Sequence, residues 1–375
     1  MVWLCLLMIG VAFAISFPLA GLMLTASRRL GLIDHAGSER HKQDSRGVPN
    51  TGGVAIFAGV VLPMIASLLG VWLIPEDWWQ TRLPAVAEHL TGLRSMTSMG
   101  GGVMTAICVL HILGLIDDRR ALGAFPKLIV QLLVAIGLTV FCEVRALEFL
   151  DQYGWWGPVL SSAVSILWIV AVINAMNFLD NMDGLSGGVG AIIAGLYLAA
   201  TLIGGQWFVA ALAAVLLGAL LGFLAFNFPP ARLYMGDAGS LVLGVVLAVV
   251  SIRTTYFDPG SNAPTVGHWY GVLMPLMVMA IPLYDLTSVT LIRLSRGQSP
   301  FKGDHNHFSH RLVRRGLSKR RAVLVVWGCT LACGLSGVML GSLQQWQAIL
   351  AACQTASIIL VLAAMDSRGR RRYYG

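Results

Sequence analysis

Apolar runs alternate with short polar segments along the whole chain. Eleven apolar segments stand out, at about 2–24, 52–74, 98–116, 128–142, 158–176, 186–204, 207–226, 238–254, 268–292, 322–342 and 346–365. Most approach the roughly 20 residues that a helix needs to cross a bilayer. Lipid offers the backbone no hydrogen-bond partner, so each is predicted to be a helix. The fold class is therefore all-α, a polytopic membrane protein of about eleven transmembrane helices in one domain spanning residues 1–375. Span one is not read as a cleaved leader, because its first charge, Arg28, follows the apolar run. No internal repeat, heptad seam or low-complexity stretch is evident.

Composition agrees. The chain is 57% hydrophobic and 12% charged, where a soluble domain carries about 25% charge. Its mean hydropathy is +0.75. The six cysteines all lie in apolar stretches without zinc spacing, and Cys329 and Cys333, one helical turn apart, read as small core residues. The net charge of +8 acquires meaning from its distribution. An odd number of spans places the termini on opposite sides. With the N-terminus outside, 22 of the 26 Lys and Arg residues fall in cytoplasmic loops or the C-terminal tail. That asymmetry sets the orientation. The positive charge is then a collar facing anionic headgroups rather than a nucleic-acid surface. Trp72, Trp78, Trp79, Trp155, Trp156, Trp207, Trp269 and Trp346 gather at the opposite span ends, as an outer aromatic belt does.

Five polar segments carry the candidate chemistry, near 27–51, 117–127, 174–188, 227–240 and 293–321, and all fall on the cytoplasmic side of this topology. Five of the 18 acidic residues sit in three of them, beside glycines and arginines. Asp117 and Asp118 end an apolar run and precede Arg119 and Arg120. Adjacent confined carboxylates share a cation or a proton, and Mg²⁺ takes one or two carboxylates plus phosphate oxygens and water. A solvated helix end balanced by its own arginines is the plain alternative. Asn174, Asn177, Asp180 and Asp183 recur every third residue, which on a helix makes a continuous polar stripe. Such groups entering a membrane helix are costly unless a ligand or each other satisfies them. A structural polar seam is the competing reading.

Asp237, in Tyr234-Met-Gly-Asp-Ala-Gly-Ser240, opens span eight. It either caps that helix or holds a metal–phosphate pair there. His307, His310, Arg311, Arg314 and Arg315 form the most basic loop, suited to a pyrophosphate or simply to topological anchoring. Zinc at His305 and Asp304 is disfavoured by the neighbouring arginines. Asp285 is the one acid inside an apolar span, functional by default or paired with Arg293. The run Gly187 to Gly190 is no dinucleotide fingerprint, because no strand precedes it.

Taken together, Arg46-Gly-Val-Pro-Asn-Thr-Gly-Gly53, Asp117-Asp118, Asn174-x-x-Asn177-x-x-Asp180-x-x-Asp183-Gly-Leu, Met235-Gly-Asp-Ala-Gly-Ser240 and His307 to Arg311 resemble the polyprenyl-phosphate N-acetylhexosamine-1-phosphate transferase family, and its N-acetylglucosaminyl branch in particular. The segments follow the family's order. The resemblance implies transfer of an N-acetylhexosamine-1-phosphate, GlcNAc-1-phosphate first, from a UDP-sugar to undecaprenyl phosphate in a bacterial plasma membrane. UMP would leave, and a surface polysaccharide would be started. It implies Mg²⁺ as cofactor, with Mn²⁺ as a substitute. Asp237 becomes the leading metal ligand and Tyr234 the contact to the uracil face. Asp117 and Asp118 become base or metal-site ligands. Asp180 and Asp183, with Asn174 and Asn177, would hold nucleotide and nucleophile. His307, His310 and Arg311 would grip pyrophosphate and sugar, and Arg46 the lipid phosphate. The implied partners are UDP-N-acetylhexosamine, undecaprenyl phosphate and membrane lipid, without nucleic acid, and a homodimer is compatible with the reading. Single displacement and a covalent aspartyl intermediate both accord with these residues.

Ser309 departs from the family's His-x-His-His-Arg pattern, taking the place of the middle histidine. The sister phospho-N-acetylmuramoyl-pentapeptide branch is the alternative within the enzymes. A transporter, which would place carboxylates at the midplane and show an inverted repeat, and a lipid-binding scaffold are the alternatives outside them.

Overall fold

The computed structural model describes residues 1–30, 47–254, 269–299 and 307–373. Arg46, Asp304, His305 and the loop at 255–267 lie outside the described residues. The long helices are α1 (Val2–Leu30), α2 (Gly52–Leu73), α3 (Thr97–Arg119), α4 (Ala124–Phe141), α5 (Trp156–Leu179), α6 (Leu185–Ile203), α7 (Trp207–Asn227) and α8 (Asp237–Arg253). They are followed by α9 (Met274–Val278), α10 (Ala280–Ser295), the short α11 (Phe308–Arg314), α12 (Lys319–Met339) and α13 (Gln345–Tyr373). Among the described residues, nine helices are long and apolar enough to cross a membrane, and a bent pair adds a tenth. The eleventh apolar segment is α8, with 17 residues. The all-α, multi-pass reading holds.

Three departures from the expected spans have local causes. The segment expected at 268–292 is broken, with a 66° bend between Trp269–Val278 and Ala280–Ser295. Pro282 explains the position: it has no N–H for the carbonyl four residues earlier, Val278, and its ring crowds it. The loop at 75–97 contains three short helices, Glu76–Arg82, Pro84–Ala87 and Leu90–Ser95. The last helix continues past the apolar run to Tyr373.

The centre of the bundle is α8. Ala238 to Ser251 are buried without a break, as expected of a helix apolar on every side. It packs against α5, α3 and α2. Small residues let other helices close. A Cβ on Gly218 would lie 2.2 Å from the Ile9 carbonyl oxygen, and Ser16 Oγ donates to the Ala219 carbonyl at 2.8 Å, which draws α1 onto α7. Lipid gives helices no hydrophobic reason to associate, so close backbone approach and interhelical hydrogen bonds carry the packing.

Candidate active site

The site begins where two turns meet. The Tyr234 N–H donates to the Pro49 carbonyl at 2.8 Å, and the N–H groups of Gly52 and Gly53 donate to the carbonyls of Tyr234 and Met235, both at 2.9 Å. The start of α2 thus lies against the turn that opens α8. Gly53 is needed at the contact, since a Cβ there would sit 2.4 Å from the Gly239 nitrogen. Gly236 takes a φ of +67°, and a Cβ on it would meet Asn50 Oδ1 and Asp118 Oδ2 at 2.6 Å.

The first turn of a helix has N–H groups without intrahelical partners. In α8 two of them are met from α3. Asp118 Oδ1 accepts the Asp237 N–H at 2.9 Å, and Oδ2 accepts the Ala238 N–H at 3.1 Å. Asn50 Nδ2 donates to the same Oδ1 at 3.0 Å. The Asp118 carboxylate is therefore committed to the backbone that carries Asp237.

Asp117, one residue earlier on α3, points elsewhere. Its Oδ1 accepts the Leu122 N–H at 2.8 Å, and its Oδ2 accepts from Lys127 Nζ at 2.9 Å. Lys127 Nζ also donates to Asp237 Oδ2 at 2.8 Å. Asp237 Oδ1 accepts from Asn177 Nδ2 at 3.0 Å, and that amide also reaches Ser240 Oγ at 2.9 Å. Two carboxylates from separate helices thus converge on one cation. Lys127 does what the sequence suggested for Arg119 and Arg120, both of which are exposed. Sequence reasoning missed Lys127. The available signal was a lysine in the first turn of an apolar helix, which needs a partner there.

The donor set suits a divalent cation. Asp117 Oδ2 and Asp237 Oδ2 approach one positive centre, and Asn50 Oδ1 is buried with no partner among the described residues. No three carboxylate, imidazole or thiolate side chains gather on one point among the described residues. The protein would supply one or two oxygens, and phosphate and water the remainder, which is the usual division for Mg²⁺.

The expected stripe of four polar residues is only half helical. α5 stops at Leu179, and Asp180 follows as its cap with φ −77° and ψ 44°. Asn174 donates to Gln131 Oε1 at 2.6 Å, one turn deeper in the bundle than Asn177. Asp180 is half-buried in the turn. Asp183 Oδ2 accepts the Ala231 N–H at 3.0 Å, and Asn227 Oδ1 accepts the Gly184 N–H at 2.9 Å. Asp183 therefore fastens this turn to the segment leading to Tyr234, which is itself half-buried.

The basic loop arrives from the other side. Asp285 is 1% exposed. Its Oδ2 bonds His307 Nδ1 at 2.8 Å, and its Oδ1 accepts the Phe308 N–H at 2.7 Å. The sequence reads Asp285 as functional or else as the partner of Arg293; its described partners are these two, and Arg293 lies over the Phe178 ring at 5.2 Å. Ser309 Oγ donates to Asn181 Oδ1 at 2.6 Å. Arg311 Nη2 donates to Ser288 Oγ at 2.9 Å. The His310 ring centroid is 6.4 Å from that of His307. Asn50 to Asp118, Asp118 to Asp237, Asn177 to Asp237, Asp183 to Ala231 and Asn181 to Ser309 link all five polar segments at one end of the bundle. Arg94 and Arg253 make their ion pairs, to Glu76 and Glu148, in the loops at the other end.

The model of glycosyl transferase family 4 matches residues 101–255. That stretch holds Asp117, Asp118, Lys127, Asn177 and Asp237. A probable undecaprenyl-phosphate N-acetylglucosaminyl 1-phosphate transferase of Bacillus subtilis (strain 168) is 30% identical over 324 residues, 85% of this chain and 80% of that protein. A decaprenyl-phosphate N-acetylglucosaminephosphotransferase of Mycobacterium tuberculosis (strain ATCC 25618 / H37Rv) is 33% identical over 299 residues, 74% of this chain and 69% of that protein. A phospho-N-acetylmuramoyl-pentapeptide-transferase of Desulforudis audaxviator (strain MP104C) is 29% identical over 359 residues, 88% of this chain and 96% of that protein. Fold, site and relatives together define a multi-pass membrane phosphosugar transferase. The chain belongs to the polyprenyl-phosphate N-acetylhexosamine-1-phosphate transferase family.

Proposed function

We propose that the protein transfers GlcNAc-1-phosphate from UDP-GlcNAc to undecaprenyl phosphate, at the cytoplasmic face of a bacterial plasma membrane, as the first membrane step of a surface polysaccharide. The observation that carries this reading is the meeting of Asp117 and Asp237 on Lys127, at the polar ends of apolar helices where a lipid phosphate and a water-soluble nucleotide can both reach it. In the reaction an oxygen of the lipid phosphate attacks the β-phosphorus of the UDP-sugar. A new P–O bond forms, the bond from that phosphorus to the bridging oxygen breaks, and UMP leaves with the electron pair.

The difficulty is electrostatic, because two phosphate anions must meet. A bound Mg²⁺ would neutralise phosphate charge and favour an in-line geometry. Asp237 and Asp117 are the residues that would hold it. Lys127 offsets the charge of both carboxylates, and Asn177 holds the Asp237 side chain from the far side. His307, His310 and Arg311 supply the donors for pyrophosphate. A strong base is not required: a phosphate monoester has a second pKa of about 6 and is largely ionised at neutral pH.

The test is purified protein in detergent with undecaprenyl phosphate, Mg²⁺ and a panel of UDP-sugars, scored by UMP release and by the lipid product. UDP-GlcNAc is the expected donor. Release only with UDP-N-acetylmuramoyl-pentapeptide would assign the chain to the sister branch and overturn the proposal. The orientation rests on the Lys and Arg asymmetry. A reporter fused after Gly375 that is active only outside the cytoplasm would reverse it.

A further inference from the structure

His111 lies in the body of α3 and is 5% exposed. A titratable ring within a membrane helix is costly and calls for a purpose. The ring stacks on Phe57 of α2, with centroids 4.0 Å apart and planes at 9°. Its Nδ1 lies 3.0 Å from the carbonyl oxygen of Ala238, the residue after Asp237. A carbonyl only accepts, so Nδ1 carries the hydrogen. Two helical turns separate His111 from Asp118, so both stand on one face of α3. Gly114 lies between them on that face, and a Cβ on it would fall 2.3 Å from the Ala238 nitrogen.

One face of α3 therefore touches the start of α8 at three points. Asp118 takes its free N–H groups, Gly114 admits its backbone, and His111 donates to its carbonyl. The last contact is not needed to satisfy the helix, because a first-turn carbonyl has an intrahelical donor of its own. It does fix how the peptide after Asp237 is rotated. We infer that His111 is a positioning residue, which sets the backbone at residues 237–238 and so aims the Asp237 carboxylate at the cation site. The inference rests on the reading of Asp237 as a metal ligand.

The experiment measures Mn²⁺ binding to the purified full-length protein in detergent, by electron paramagnetic resonance of free Mn²⁺, with no substrate present. Melting temperature is recorded alongside. His111→Leu removes the donor, and His111→Asn returns one at about the same reach. Asp237→Asn tests the underlying reading. In a site tuned from outside its ligand shell, His111→Leu should weaken Mn²⁺ at least about tenfold, and His111→Asn should stay within about threefold of wild type. If His111→Leu does not purify folded, His111→Phe, which keeps the stack on Phe57 and lacks the donor, is read in its place. Loss in Asp237→Asn without loss in the donor-free His111 variant overturns the inference alone, as does equal loss in the donor-free variant and His111→Asn. Unchanged binding in Asp237→Asn overturns the metal reading and the inference with it.

Discussion

Asp118 bonds the backbone of Asp237, while its neighbour Asp117 shares a lysine with the Asp237 side chain. Two adjacent acids on one helix end therefore have different work. One secures the peptide that presents Asp237, and the other lies in the charged cluster itself.

The first prediction separates them. Asp118→Ala leaves two buried N–H groups at the start of α8 without acceptors, each costing about 1–3 kcal/mol. It should lower the melting temperature of the purified protein and abolish UMP release together. Asp117→Asn keeps an acceptor for the Leu122 N–H and should abolish UMP release with a near-normal melting temperature. Equal destabilisation by the two substitutions would contradict this division.

The sequence carried the cast of this site better than its geometry. The apolar period revealed the spans, and the spacing of polar segments placed Asp117, Asp118, Asn177 and Asp237 at one end. Three features escaped it because they are contacts between distant segments. Lys127 neutralises acids on two other helices, Asp285 turns away from its own helix to bond His307, and His111 reaches a carbonyl on α8. The spacing of Asn174 to Asp183 suggested a helical stripe, yet Gly184, at φ +70°, follows a turn that ends α5 before Asp180. Tertiary demands at 227–233 hold that turn through Asp183 and Asn227, and no local pattern announces such a demand.

The second prediction concerns Lys127 and Asp117. Removing Lys127 leaves Asp117 and Asp237 both without their cation, whereas removing Asp117 leaves Lys127 paired with Asp237, so the double variant carries one uncompensated carboxylate rather than two. In unfolding experiments with Lys127→Met, Asp117→Asn and the double variant, the coupling energy should be on the order of 0.5–3 kcal/mol. Additive effects would mean that the ion pair has no energetic role. Activity should remain absent in the double variant, since relieving the repulsion between Asp117 and Asp237 does not restore the ligand.

The third prediction follows from Asp285, which holds both the His307 ring and the first N–H of α11. Asp285→Ala frees the ring and loosens the start of the helix that carries Arg311. Misplacement of a substrate-positioning group by about 1 Å can cost 10²-fold, so kcat/KM for the UDP-sugar should fall at least tenfold by the same argument. Asp285→Asn, which can still accept from the Phe308 N–H, should be milder. The check is steady-state UMP release at varied UDP-sugar, and equal activity of Asp285→Ala and wild type would refute the role.

The last prediction concerns the position where the family's middle histidine gives way to Ser309. Its hydroxyl donates to Asn181, and the residue is 3% exposed. Ser309 thus ties the basic loop to the turn after α5. Ser309→Ala loses one neutral hydrogen bond, a cost of about 0.5–1.5 kcal/mol, and Asn181→Ala removes the same bond from the other side. The two substitutions should be similar in melting temperature, and the double variant should lose less than their sum. Arg311 is different in kind. It is buried, lies over the Phe308 ring at 6.0 Å and donates to Ser288. Arg311→Lys keeps the charge but loses the planar fork that pairs two phosphate oxygens at once. At matched expression, Arg311→Lys should therefore reduce kcat/KM for UDP-GlcNAc clearly more than Ser309→Ala. An inactive Ser309→Ala beside a near-normal Arg311→Lys would place Ser309 in contact with the reacting groups and reverse the assignment of roles in this loop.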